Sequence, residues 1–167
     1  MEVYQRLRQE AKRKISLADH MLSVTYPLVR DSKLLLAVLE NLFLALTHTM
    51  AMILYYERIY KRVPHFFDTF ESKYILFSEK CVPRYRFDEK YLSFLRDVKE
   101  ILVAHKRSPI EFSRNDQFVI CSEDYELKIL APNDIKKYLS KTKDFFNMVD
   151  SLLGELEIKD KEESNED

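Results

Sequence analysis

The chain has 167 residues, enough for one domain that buries a substantial core without metals or cross-links. Hydrophobic residues make up 46% and charged ones 33%, with a formal net charge of -1, which fits a soluble globular protein and excludes a disordered one. Gly154 is the only glycine, where average usage of about 7% would give roughly a dozen. This excludes phosphate-cradling loops and glycine-rich dinucleotide motifs, and it leaves few positions expected to take a positive φ. Cys81 and Cys121 form no CxxC pair, and no Cys/His cluster has the spacing of a metal site, so neither metal nor cofactor is expected. Residues 2–14 are strongly charged, unlike a signal peptide, and a cytoplasmic location is expected. Abundant Lys, Glu, Ile and Tyr with few Gln and Asn give an archaeal or thermophile-like composition.

Prolines 27, 64, 83, 109 and 132 are expected to cut the chain into segments, most of which carry helical periodicity. Val3, Leu7, Ala11, Ile15, Ala18 and Leu22 predict a first helix over 2–23. A second starts near Asp31 or Ser32, either a good N-cap, and runs to about Arg62. A third covers 66–80. A fourth begins after Asp88, presents Tyr91, Leu92, Leu95, Val98, Ile101 and Leu102 on one side, and ends near Lys106. FVICSEDYELKIL, residues 118–130, alternates apolar and polar residues about a polar step and predicts a β-hairpin. Pro132 and Asn133 open a last helix striped with Ile135, Leu139, Phe145, Phe146, Val149 and Leu153. Residues 155–167 hold seven acids and two lysines, a net of -5, and are expected to be a disordered acidic tail. The predicted fold is mainly α: a single-domain antiparallel bundle of about five helices over 1–154, with one β-hairpin before the last helix. No internal repeat is apparent.

LLLAVLENLFLALTHTMAMILYY, residues 34–56, is long enough to cross a hydrocarbon core of about 30 Å. At 100° per residue, however, Glu40, Asn41, His48 and Tyr55 fall within one arc and form a polar seam. A lone span would leave Glu40, Asn41 and His48 in lipid, at a few kcal/mol for the charge alone, so no membrane association is expected. The seam instead suits a packed neighbour, a pocket or a second subunit.

Without the tail the body carries a net charge of about +4, in clusters that include Arg58 with Lys61 and Arg62, and Lys106 and Arg107 with Arg114. HKRSPIEFSRNDQFVIC, residues 105–121, holds the densest polar chemistry. Pro109, Ile110 and Phe112 are expected to pin it to the bundle, leaving Lys106, Arg107, Arg114 and Asn115 as a basic corner for a binding partner, nucleic acid included.

The element order and the second helix, reading ENLFLALTHTMAMILYY, resemble the HEPN superfamily of helical domains. That resemblance implies a homodimer and, in many members, RNA cleavage by an arginine and a histidine four to six intervening residues later. Arg58 and His65 have six residues between them, although Ile59 follows the arginine and Pro64 precedes the histidine. Arg114 and Asn115 open a second match that lacks its histidine. The resemblance thus makes Arg58, His65 and His105 the candidate catalytic residues of a metal-independent ribonuclease or toxin-antitoxin component. The residues themselves favour a non-enzymatic reading: a helical interaction module that forms a homodimer or docks a protein partner through the seam.

Overall fold

A computed structural model describes all of residues 1–167. Five helices and a three-stranded antiparallel sheet make up a mainly α architecture. Helix α1 runs Val3–His20, passes through a π-turn at Met21–Thr25 and continues as Tyr26–Val29. Helix α2 is Lys33–Ile59. Helix α3 repeats the construction of α1, with Phe70–Leu76, a π-turn at Phe77–Cys81, and Val82–Tyr85. Helix α4 is Lys90–Arg107, and α5 is Pro132–Glu166.

Pro27 and Pro83 therefore do not end their helices. A helical proline lacks an N–H and its ring collides with the carbonyl four residues back. The π-turn inserts one extra residue just ahead, so that Tyr26 N–H reaches Met21 O and Val82 N–H reaches Phe77 O, and the colliding carbonyl is displaced. Both helices then stop in the same way. Arg30 and Arg86 take left-handed backbone, with φ of 51° and 54°. Shortly after, the carboxylates of Asp31 and Asp88 accept the N–H of Lys33 at 3.0 Å and of Lys90 at 2.9 Å, starting the next helix. The molecule thus contains two helical hairpins with one shared turn design, Thr25-Tyr26-Pro27 in the first and Cys81-Val82-Pro83 in the second, which the differing side chains conceal in the sequence. Positive φ occurs at five residues, Arg30, Lys61, Arg86, Asn115 and Tyr125, none of them glycine. The scarcity of glycine did not remove such positions; they are occupied at a cost.

Helix α2 is the central element. Leu35, Leu39, Leu42, Leu46, Met50 and Ile53 are fully buried, and more than half of its most apolar window lies inside the protein. Its length and composition would suffice to cross a membrane, yet its apolar surface is spent on the core. Helix α5 lies antiparallel to α1, as the pairs Lys143 to Asp19 and Glu157 to Arg8 require. Helices α3 and α4 close the other side through aromatic contacts: Phe77 and Tyr91 on Phe145, and Phe94 on Tyr138.

Strands β1 (Ile110–Arg114), β2 (Gln117–Cys121) and β3 (Leu127–Leu130) form a sheet in the order β1-β2-β3. The hairpin expected over 118–130 is its second half. Strand β1 was hidden because Pro109, Ile110 and Phe112 read equally well as an apolar connector pinned to the bundle. In fact Ile110 and Phe112 are exposed. The sheet sits where α2 begins and α4 ends, tied by Ser32 Oγ donating to Ser113 Oγ at 2.5 Å.

The acidic tail is not disordered. It continues α5 without a break through Gly154, and Asp160 is buried. Tail composition predicted solvation, but the tail's carboxylates meet cations of the bundle, which composition does not reveal.

Candidate functional site

The polar seam of α2 divides in the folded protein. Asn41 donates to Ala37 O at 2.9 Å within its own helix and touches Met21 of α1. His48 is half-buried, and burial holds its imidazole below the usual histidine range. Tyr55 stands edge-on to Phe66, 5.0 Å between ring centroids, beneath the guanidinium of Arg58. Only Glu40 remains exposed, and it faces His105, with 3.9 Å between Oε1 and Nε2. The seam is therefore mostly covered by the chain itself and does not form one free interface.

His105 is half-buried at the end of α4. Its Nδ1 lies 2.6 Å from Oε1 of Glu111 on β1, with Glu40 on the other side. Glu111 was not singled out in the sequence because its partner comes from another element. This places His105 far from the other two catalytic candidates. Arg58 and His65 line a single groove of about 680 Å3, beside the end of α2.

The basic corner also separates. Lys106 and Arg107 end α4, and Arg107 lines a groove with the acidic residues Glu123 and Asp124. Asn115 occupies the β1-β2 turn at the opposite end of β1, beside Asp116, Ala131 and Pro132. A five-residue strand stands between the two halves, so Lys106, Arg107, Arg114 and Asn115 do not form one surface.

The densest polar cluster lies at the other end of the bundle, around Glu57, which is fully buried. Beside the cations Arg58, Lys61 and Arg62, Glu57 reads in sequence as an acid of a solvated helix face, yet it continues the apolar stripe Leu46, Met50, Ile53 at helical spacing and is buried with it. Arg62 Nε donates to both carboxylate oxygens at 3.1 Å, Arg84 Nη1 donates to Oε2 at 2.7 Å, and the Tyr85 hydroxyl donates to Oε1 at 2.6 Å. The other side of the Arg62 guanidinium grips Asp160 at 3.2 and 3.0 Å, and Tyr56 donates its hydroxyl to Asp160 at 2.6 Å. The ring of Tyr60 covers the guanidinium at 4.8 Å. The hydrogen bonds from Arg62 hold the Asp160 carboxyl below the usual range. Burial, reinforced by the bonds to Asp160 and Glu57, raises the hydroxyls of Tyr56 and Tyr85. Every carboxylate oxygen in the cluster is engaged, so its chemistry is that of a clamp joining α2, α3 and α5.

The outer face of the sheet has the opposite character. Register places Ile110, Cys121 and Leu127 in one cross-strand row and Phe112, Val119 and Ile129 in the next. Ser113, Phe118 and Leu130 alternate with them and face the bundle, where Phe118 and Leu130 join the main core. Val119 is 3% exposed yet stands outside that core, between Phe112 and Ile129 in the register. Ile110, Phe112, Leu127 and Ile129 are all exposed. At one end of this face lies the turn with Glu123, Asp124 and Glu126; at the other lie Arg114 and, beside the β1-β2 turn, Arg30.

No protein-family model, no curated protein and no solved structure matches the chain.

Proposed function

We propose that the protein is a cytoplasmic interaction module that self-associates through the outer face of its three-stranded sheet. The observation that carries this reading is the six-residue apolar face spread over all three strands. Such a face is more than the scattered single hydrophobic residues of an ordinary surface. A second copy is the occupant its charges favour. In a two-fold arrangement with the sheets stacked head to tail, the acidic turn 123–126 of one copy meets Arg30 and Arg114 of the other. The free thiols Cys81 and Cys121 agree with a reducing compartment.

Three strands about 4.8 Å apart and five residues long cover roughly 250 Å2. A stable complex buries about 800 Å2 per partner, so the association is reversible and concentration-dependent. RNA binding, the alternative suggested by the HEPN resemblance, draws less support, because the cations of segment 105–115 lie apart.

Sedimentation velocity tests the proposal. The native chain should pass from monomer to dimer across the micromolar range, and Phe112→Ser with Ile129→Ser should remain monomeric with an unchanged helical spectrum. A native chain that stays monomeric throughout, or a dimer indifferent to both substitutions, would refute the sheet face as the interface.

A further inference from the structure

We infer that the groove beside the C-terminal end of α2 binds a small phosphorylated molecule of about mononucleotide size. Its walls come from the first turn of α1, the end of α2, the connection 61–65 and Lys80 of α3. The volume, about 680 Å3, lies within the range of small-molecule sites, roughly 300–1,000 Å3. Tyr4, Ile59 and Val63 give it an apolar floor on which a flat ring could lie.

Its charge is almost all of one sign. Arg58, Lys61, Arg62 and Lys80 line it, against the single acid Glu2. Arg62 is neutralised by Glu57 and Asp160, but Arg58, Lys61 and Lys80 have no carboxylate at ion-pair distance. Elsewhere on the molecule, grooves of comparable build mix acids with bases, as where Arg96, Lys99 and Arg107 meet Glu71, Glu100 and Glu123. Converging like charges repel unless an anion joins them, and phosphate is the anion that guanidinium and ammonium groups bind best together.

One of these cations is held in place, and another sits on strained backbone. The Arg58 guanidinium lies over the rings of Tyr55 and Phe66, at 4.9 and 5.4 Å, which fixes its plane before any ligand arrives. Lys61 takes left-handed backbone, φ 57°, at a position where glycine would be free of strain. The first turn of α1 on the facing wall adds the positive end of a helix dipole.

Isothermal titration of the whole chain with ATP and with pyrophosphate at low salt tests the inference. Saturable one-to-one binding should appear and weaken as salt rises. Arg58→Ala should weaken it about tenfold or more, the loss of one charge-assisted contact. Lys61→Gly should weaken binding while raising the thermal midpoint, so its effect cannot come from unfolding. Lys137→Ala, an exposed lysine near the start of α5, should bind as the native chain does. The inference is overturned if neither probe binds saturably, if Lys137→Ala weakens binding as much as Arg58→Ala, or if Lys61→Gly binds undiminished. Tighter binding of a single-stranded RNA oligomer, with the loss spread over Lys106 and Arg107, would replace the small ligand with a nucleic acid.

Discussion

The two ends of the bundle solve opposite problems. At one end three helices meet over a fully buried carboxylate, and the fold closes by matching charge to charge: Glu57 and Asp160 against Arg62 and Arg84. At the other end the helices stop against a sheet whose inner side joins the core while its outer side keeps four large apolar side chains in water. The first end closes its buried carboxylates within one chain. The second leaves apolar side chains open, and the proposed contact surface rests on this contrast.

The largest test of the contrast is Glu57→Ala. Removing the fully buried shared acceptor takes a charge-assisted partner from Arg62, Arg84 and Tyr85, which themselves reach solvent, and the unfolding free energy in urea should fall by about 2–4 kcal/mol. A loss under about 1 kcal/mol would mean that the cluster behaves as surface ion pairs do.

Asp160→Asn is the next smaller step. It keeps the shape but removes the charge gripped by Arg62 and should cost about 1–3 kcal/mol. Its pH signature has a definite sign. The folded carboxyl titrates below its unfolded value, so its stabilisation is present above the ordinary carboxylate pKa of about 4 and is lost as pH falls through the lowered one. Denaturation followed from neutral pH into acid should therefore show a shallower decline in Asp160→Asn than in the native chain.

Arg30→Gly sharpens the comparison from the other side. It lies at the sheet end, its backbone is left-handed and its side chain is exposed, so glycine should stabilise the chain by about 0.5–1 kcal/mol in thermal unfolding. The smallest effect is expected on the outer sheet face. There Phe112→Ser should change monomer stability by no more than about 0.5 kcal/mol, the usual bound for a surface site, although it removes an aromatic ring.

Helical periodicity made the core legible. Ile135, Leu139, Phe145, Phe146, Val149 and Leu153 are buried along α5 as their spacing predicts, and α2 and α4 behave alike. What stayed hidden was pairing across elements. Glu57 belongs to an apolar stripe, but nothing near it in sequence announces Arg84 or Asp160, and the tail's acids read as solvated until Arg8 and Arg62 are brought to them. The prolines misled for a local reason: an extra residue in the preceding turn lets a helix carry Pro27 or Pro83, and no residue type signals that insertion. Strand β1 escaped because an exposed Ile110 and Phe112 look in sequence like residues destined for a core. Of the proposed site residues, Arg58 and His65 meet in one groove, whereas His105 and the two halves of the basic corner do not join them.

The clamp on Arg62 also orders events in time. Synthesis proceeds from the N-terminus, so the α1-α2 hairpin can close through local contacts while the later helices are still being made. Arg62 finds Glu57 only five residues away, yet it must wait for Asp160, 98 residues further along. Until that carboxylate is made, one side of the Arg62 guanidinium at this end of the bundle has no partner. The last turns of α5 thereby complete a clamp whose parts span almost the whole chain.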